Sequence, residues 1–196
     1  MIMKRTKGAL FAFVAAVALC LGLVGTAFAA VDESEVSLAQ DGSNVRVTLT
    51  GNGQDVSAFS LVLDVEPDVP GAVQVGFDFS GTIEEGTSIH EAKLSTVGDK
   101  TRVTLYVAGG HDLFAAPLDV GSITLALDAA ASSGADVVIT VPEVDDETDE
   151  KRDNTYALRM VSGSYGEDEG GVYLNTGDAD DTGIFTAHLG ERTPSG

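Results

Sequence analysis

The chain contains no tryptophan, one cysteine, and only 11 basic residues against 31 acidic residues. Because Cys20 is alone, no internal disulfide bond can form, and stability must come from a packed core. The shortage of lysine and arginine gives a formal net charge of −20. Such a surface repels nucleic acid and anionic lipid, whose phosphates need basic partners. We therefore expect neither of these as a ligand.

Short catalytic motifs are also missing after the first 29 residues. There is no G-x-S-x-G turn, no H-E-x-x-H helix and no Gly-rich phosphate loop. The three histidines, His90, His111 and His188, are too widely spaced to share a metal ion on one element. Glycoside hydrolysis needs two placed carboxylates, and nothing singles out a pair among 31 acids. We expect a protein that is not an enzyme.

The first 29 residues have the pattern of a secretory signal peptide. Basic residues at positions 4, 5 and 7 precede an uncharged apolar run from Ala9 to Val24, and Ala27-Phe28-Ala29 fits a signal peptidase site. The run is shorter than the roughly 20 residues that cross a bilayer. We predict cleavage after Ala29, no membrane span in the mature protein, and a secreted or cell-surface location.

The rest of the chain alternates apolar and polar residues, as half-buried strands do. Val45–Thr50 alternates strictly, and Gly-, Asn-, Asp- and Pro-rich clusters separate it from later runs, which is typical of a sandwich or barrel. Since each one-sided sheet must bury its apolar face, the runs predict two packed sheets. The later runs are Phe59–Val65, Val73–Phe79, Val103–Val107, Ile123–Leu127 and Val137–Val141.

The predicted organisation has three parts. Residues 1–29 are the signal peptide, residues 31–165 form the sandwich, and residues 166–196 are a Gly/Asp-rich C-terminal hairpin or tail. In the last part, Val172–Leu174 and Ile184–Ala187 are the two expected arms of the hairpin. The acidic run Asp145–Glu150 is expected to be an exposed loop, because like charges repel and stay solvated.

Five stretches, taken in order, resemble the cohesin domain, and the first, Val45–Thr50 with its Gly-rich turn, is similar to the opening strand of that domain. Val56–Val69 is similar to a strand with a buried aromatic residue that leads into an acidic-Pro turn, and Arg102–Gly110, Val120–Leu127 and Ser132–Ala135 are similar to later parts of that domain. The resemblance covers about Val36 to Tyr165. It implies a nine-stranded jelly-roll sandwich and calcium-dependent capture of a dockerin helix pair in polysaccharide-degrading or surface assemblies. In that family a flat sheet face and its loops bind the partner.

Candidate partner-binding residues are outward positions of the matching strands. Ser60, Asp64 and Thr104 are polar residues at such positions. Tyr106 lies between two apolar residues and is therefore expected on the opposite, exposed side of its strand. These four residues are the predicted contact points for a protein partner.

A carbohydrate-binding or adhesin sandwich, with extracellular polysaccharide as its ligand, is the alternative function. Such modules share this fold and stack sugar rings on flat aromatic side chains, so the absence of tryptophan weighs against it. A line of tyrosines on the exposed face would favour sugar. A flat mixture of Ser, Thr and Asp around a hydrophobic centre would favour a protein.

One acidic loop is a candidate calcium site. Asp178, Asp180 and Thr182 occupy positions 1, 3 and 5 of an EF-hand-like or dockerin-like spacing, with Gly183 at position 6. Thr182 is a poor ligand, and Leu189 at position 12 cannot supply the closing carboxylate. A plain hairpin turn is the alternative, and no cofactor is required by the predicted fold.

Overall fold

The computed structural model describes residues 34–51, 56–128, 134–142, 158–162, 166–170, 172–175 and 183–190. The predicted signal peptide and the acidic run lie outside these residues. No helix within the described ranges is long and apolar enough to cross a membrane. The described residues form twelve strands and one short helix, with these bounds: β1 (Ser34–Asp41), β2 (Asn44–Thr50), β3 (Val56–Pro67), β4 (Val73–Phe79), α1 (Gly81–Gly86), β5 (Ile89–Val97), β6 (Lys100–Ala108), β7 (Leu118–Leu127), β8 (Ala135–Thr140), β9 (Leu158–Ser162), β10 (Gly166–Gly170), β11 (Val172–Asn175) and β12 (Ile184–Leu189).

The strands form two sheets. Sheet A has five strands in the order β11-β1-β2-β7-β4. Sheet B has seven: β10-β9-β3-β6-β5 form one path, β8 pairs with β3, and β12 pairs with β8. β3 is 12 residues long, so β9 pairs with its first half and β8 with its second half. All these pairs are antiparallel except β1 with β11. The predicted all-β, two-sheet sandwich is confirmed.

The core lies between the inner faces of the two sheets. Leu49 and Ile123 contribute from sheet A, and Leu61, Leu105 and Ile139 from sheet B, all with no exposed surface. These residues occupy the apolar positions of the alternating pattern, and burying them turns that side of each strand toward the core. Full burial of such a side chain is worth roughly 1.5–3 kcal/mol, so the core replaces the disulfide bonds that the chain lacks.

A short helix connects the two sheets at one side. Ser80 caps α1, because its Oγ accepts the Ile83 N–H at 3.3 Å, and the same hydroxyl donates to the Asp119 carbonyl in β7. Ile83 is fully buried and anchors the helix. Thr87 ends it by donating its N–H to the Ile83 carbonyl at 3.1 Å. The chain thereby passes from β4, at the edge of sheet A, to β5 in sheet B.

A glycine allows β7 to bend beside β4. Gly121 has φ of +147° at a register shift in the pairing of β2 with β7. A Cβ at this position would overlap the Asp78 carbonyl and the Phe79 Cα. Only glycine therefore fits without moving the backbone of β4.

The C-terminal residues contribute strands to both sheets. β11 pairs with β1 in sheet A, and β12 pairs with β8 in sheet B, so the two segments expected to form a hairpin lie in different sheets. The physical reason is burial: Leu174, Ala187 and Leu189 enter the core. With β10 they raise the strand number within the described residues from the expected nine to twelve.

Candidate functional site

The four predicted partner-binding residues lie together on the solvent side of sheet B. Ser60 is opposite Tyr106 in the pairing of β3 with β6, and Thr104 and Asp64 lie on the same side of these strands. Their sequence neighbours point into the core. We call this surface the outer face, made of the outward residues of β12, β8, β3, β6 and β5; β9 and β10 continue the sheet beyond the Ser60 end of β3. Their role in binding stays a prediction.

One end of the outer face is held by a bidentate ion pair. Arg102 Nε donates to Asp64 Oδ1 at 2.7 Å, and Nη2 donates to Oδ2 at 2.9 Å. The hydrogen bond and, in smaller part, the charge of Asp64 raise the pKa of Arg102 above its ordinary value, although desolvation opposes them. Asp64 is buried, so its carboxylate is committed to Arg102. It shapes the surface rather than offering a free acceptor.

At the other end of the outer face, one tyrosine lies beside a row of apolar residues. Tyr106 is 44% exposed and sits between Ser60 on β3 and Glu91 on β5. The next row across the sheet is Ala58, Ala108 and Ile89. Within the described part of the chain, Tyr106 is the one aromatic side chain on this face; the phenylalanines of β3, β4 and β12 lie in or against the core.

Further charges of both signs lie at the Asp64 end of the outer face. Lys100 Nζ lies 3.2 Å from Glu66 Oε2, two residues beyond the Asp64 pair on the same strands. His188 Nδ1 lies 2.7 Å from Asp136 Oδ1 where β12 meets β8. β5 and β6 contribute the basic residues Lys93, Lys100 and Arg102 to this face. The outer face is therefore mixed in charge although the protein carries −20 overall.

Sequence reasoning did not identify Arg102 as part of the site. Its outward position could be read from the alternation of β6, in which Val103, Leu105 and Val107 face the core. Its partner could not, because the register of β3 against β6 is not visible in either strand alone. The pairing brings residues 38 positions apart into contact.

The candidate calcium ligands Asp178, Asp180 and Thr182 lie outside the described residues, so calcium binding stays a prediction. Across the described ranges, no group of three or more His, Cys, Asp or Glu could hold a metal ion. An open crevice of about 360 Å³ lies at the end of β7, beside the β1–β2 turn. Its lining has no ionisable side chain and consists of Gly42, Ser43, Leu125, Ala126, Leu127, Leu189 and Gly190.

The chain is similar in structure to cohesin domains. One is the cohesin of the Coh-OlpC–Doc435 type I complex from Clostridium thermocellum, at 10% identity and a TM-score of 0.47, covering 83% of this chain and 97% of that one. The CaDoc0917–CaCohA2 complex matches at 10% sequence identity and a TM-score of 0.48, and the match covers 81% of this chain and 99% of that one. The solution structure of CaCohA2 from Clostridium acetobutylicum matches at 11% sequence identity and a TM-score of 0.45, and the match covers 83% of this chain and 94% of that one. No family model matches the chain, and no curated protein does.

Proposed function

We propose that the protein is a non-catalytic, secreted or cell-surface module that captures a protein partner on the outer face of sheet B. The observation that carries the proposal is the composition of this face. Tyr106 stands among Ser60, Thr104 and small apolar residues rather than in a line of aromatic rings. A sugar platform needs stacked rings, whereas a flat apolar centre with a polar rim suits a protein interface.

The arrangement offers one anchor and a pre-ordered rim. Tyr106 combines a large apolar ring with a hydroxyl, and tyrosines near the centre of an interface often carry much of its binding energy. The bidentate Asp64–Arg102 pair, at one side of this centre, fixes charged groups before a partner arrives. Groups that are already ordered lose less conformational entropy on binding.

A dockerin-type helix pair is the proposed partner. The support is the order of the sequence motifs that resemble cohesin, from Val45–Thr50 to Ser132–Ala135. Export is supported by the leader pattern of residues 1–29. The calcium dependence of capture follows from this partner class, and it does not require calcium to bind this chain.

Calorimetric titration with calcium-loaded dockerin modules tests the proposal. The protein used is residues 31–196, which contains the whole compact unit Asp32–Gly196. We expect binding that disappears in EDTA and that Tyr106→Ala weakens by roughly tenfold or more. Arg46→Ala, an exposed change on β2 in the other sheet, is the control and should bind like the wild type.

Two results would contradict the proposal. One is the absence of binding to any dockerin, together with no discrete partner from the producing organism's secreted proteins with or without EDTA. The other is equal weakening by Tyr106→Ala and Arg46→Ala, because the outer face would then not be the contact surface. Binding of extracellular polysaccharide that Tyr106→Ala abolishes would establish the carbohydrate alternative instead.

A further inference from the structure

Strand β5 forms an open edge of sheet B. It pairs with β6 along its whole length, and no described strand lies on its other side. Eight of its nine residues are exposed, and Ala92 is half-buried. An edge strand of this length presents unpaired backbone N–H and C=O groups to any strand that can align with them.

The edge formed by β12 is closed in a way that β5 is not. Gln40 on β1 reaches across to β12, where its Nε2 donates to the His188 carbonyl at 2.7 Å and its Oε1 accepts the His188 N–H at 3.0 Å. Within the described part of the chain, no side chain caps the backbone of β5 in this way. Thr87 and Phe79 contact β5 only through the imidazole ring of His90, and neither bonds to the backbone of the strand in these contacts.

Exposed apolar side chains concentrate at the β5 edge. Six large hydrophobic residues are exposed within the described ranges, and three of them, Ile89, Leu94 and Val97, are on β5. A fourth, Tyr106, is on the neighbouring strand. Leu94 is 41% exposed although it is on the core side of the strand, opposite the buried Val103. The sandwich therefore leaves apolar surface uncovered on both sides of this edge.

The charges of β5 are complementary to those of an antiparallel copy of itself. Glu91 and Lys93, its one acid and its one lysine, are both exposed and both on the outer face. If two copies pair around Ala92, each Glu91 lies directly opposite the other copy's Lys93. Pairing around Glu91 or Lys93 would instead set like charges opposite each other, which is destabilising. The balanced strand also limits repulsion between two chains of charge −20.

We propose that β5 pairs with β5 of a second copy, antiparallel and centred on Ala92, to form a twofold dimer with one continuous sheet. The paired strands run from Ile89 to Ser95 in each copy. Two symmetric ion pairs form on the outer face, and each Leu94 packs against the other copy's His90 on the core side. The two outer faces then lie side by side on the same surface of the extended sheet.

Sedimentation equilibrium with hydrogen–deuterium exchange tests this dimer, again with residues 31–196. At about 0.15 M salt, which screens the net charge, we expect a reversible monomer–dimer equilibrium with a dissociation constant below about 1 mM. Backbone amides of β5 should gain protection in proportion to the dimer fraction. Glu91→Lys and Lys93→Glu should each weaken association by about tenfold, because each places like charges opposite each other twice. The double swap, Glu91→Lys with Lys93→Glu, should restore it.

Arg46→Glu is the matched control, since it makes the same charge change as Lys93→Glu on β2 of the other sheet, and it should leave the association constant within about twofold. A monomer at every concentration would overturn the proposal. So would a dimer that leaves exchange in β5 unchanged, a measurement on the wild type that needs no variant to fold. Failure of the double swap to restore association would also overturn it, because the register centred on Ala92 requires that rescue.

Discussion

Removal of Arg102 should destabilise the fold more than an outward position on a sheet suggests. Its guanidinium supplies both donors to Asp64, whose side chain is only 8% exposed, whereas Arg102 itself is 23% exposed. Arg102→Met keeps the aliphatic stem but leaves a nearly buried carboxylate without a partner. We expect it to lower the free energy of unfolding at pH 7 by about 2–3 kcal/mol, slightly less than for a fully buried pair because water reaches the arginine.

The neighbouring ion pair provides an internal comparison on the same two strands. Lys100 and Glu66 are 3.2 Å apart, with side chains 40% and 44% exposed. Water solvates either partner when the other is removed, so Lys100→Met should cost at most about 0.5 kcal/mol. The two substitutions delete the same charge at positions two residues apart. The difference between their losses in free energy of unfolding therefore measures the effect of burying the carboxylate partner.

Urea unfolding followed by circular dichroism measures these differences, with m-values checked for equality. Asp64→Leu combined with Arg102→Met removes both charges and should lie within about 1 kcal/mol of the wild type. The cycle of single and double variants should then give a coupling energy above about 1 kcal/mol. If Arg102→Met costs no more than Lys100→Met, water solvates Asp64 in the folded state and the reasoning from burial is wrong.

Three further outcomes are expected. Gly121→Ala should lower the free energy of unfolding, measured by thermal unfolding, by more than about 2 kcal/mol, because the new Cβ overlaps the backbone of β4. Gly42→Ala is the control: with φ of +62° and open space around it, it should lower the free energy by about 1 kcal/mol. Equal losses would refute the packing argument. Gln40→Leu should raise amide exchange in β12 by roughly tenfold, since both bonds to His188 disappear; unchanged exchange would mean that they do not hold the edge. Leu61→Ala should cost about 2–5 kcal/mol in urea unfolding, and a cost below 1 kcal/mol would place Leu61 outside a rigid core.

The alternation of the sequence predicts the inner strands well because these strands are buried on one side. Val45–Thr50 is observed as Asn44–Thr50, and the core residues of β3, β6, β7 and β8 follow the expected period of two. The prediction did not include β1 or β5. β5 shows little hydrophobic alternation because both of its sides meet water. The helix α1 buries one residue in six, too few for a helical period to be visible.

The candidate site could be predicted only as separate outward positions. Alternation placed Ser60, Asp64, Thr104 and Tyr106 on exposed sides of their strands, and the structure brings them onto one face. The pairing of Asp64 with Arg102 depends on register, which arises from the packing of both sheets rather than from either strand. The sequence does not predict the pairing of the C-terminal strands either, because β11 and β12 pair with strands more than 40 residues away along the chain.

The outer face combines a rigid centre with an open margin. β3 and β6 are fixed from within by fully buried Leu61 and Leu105, and from without by the bidentate Asp64–Arg102 pair. A partner that contacts this centre meets two strands that these contacts already hold in place, so little binding energy is lost to rearrangement of their backbone. β5 has few buried contacts and a free backbone edge, and such strands open most readily. The surface proposed for a protein partner is thus distinct from the open edge at β5, and the proposed self-association would cover that edge without blocking the centre.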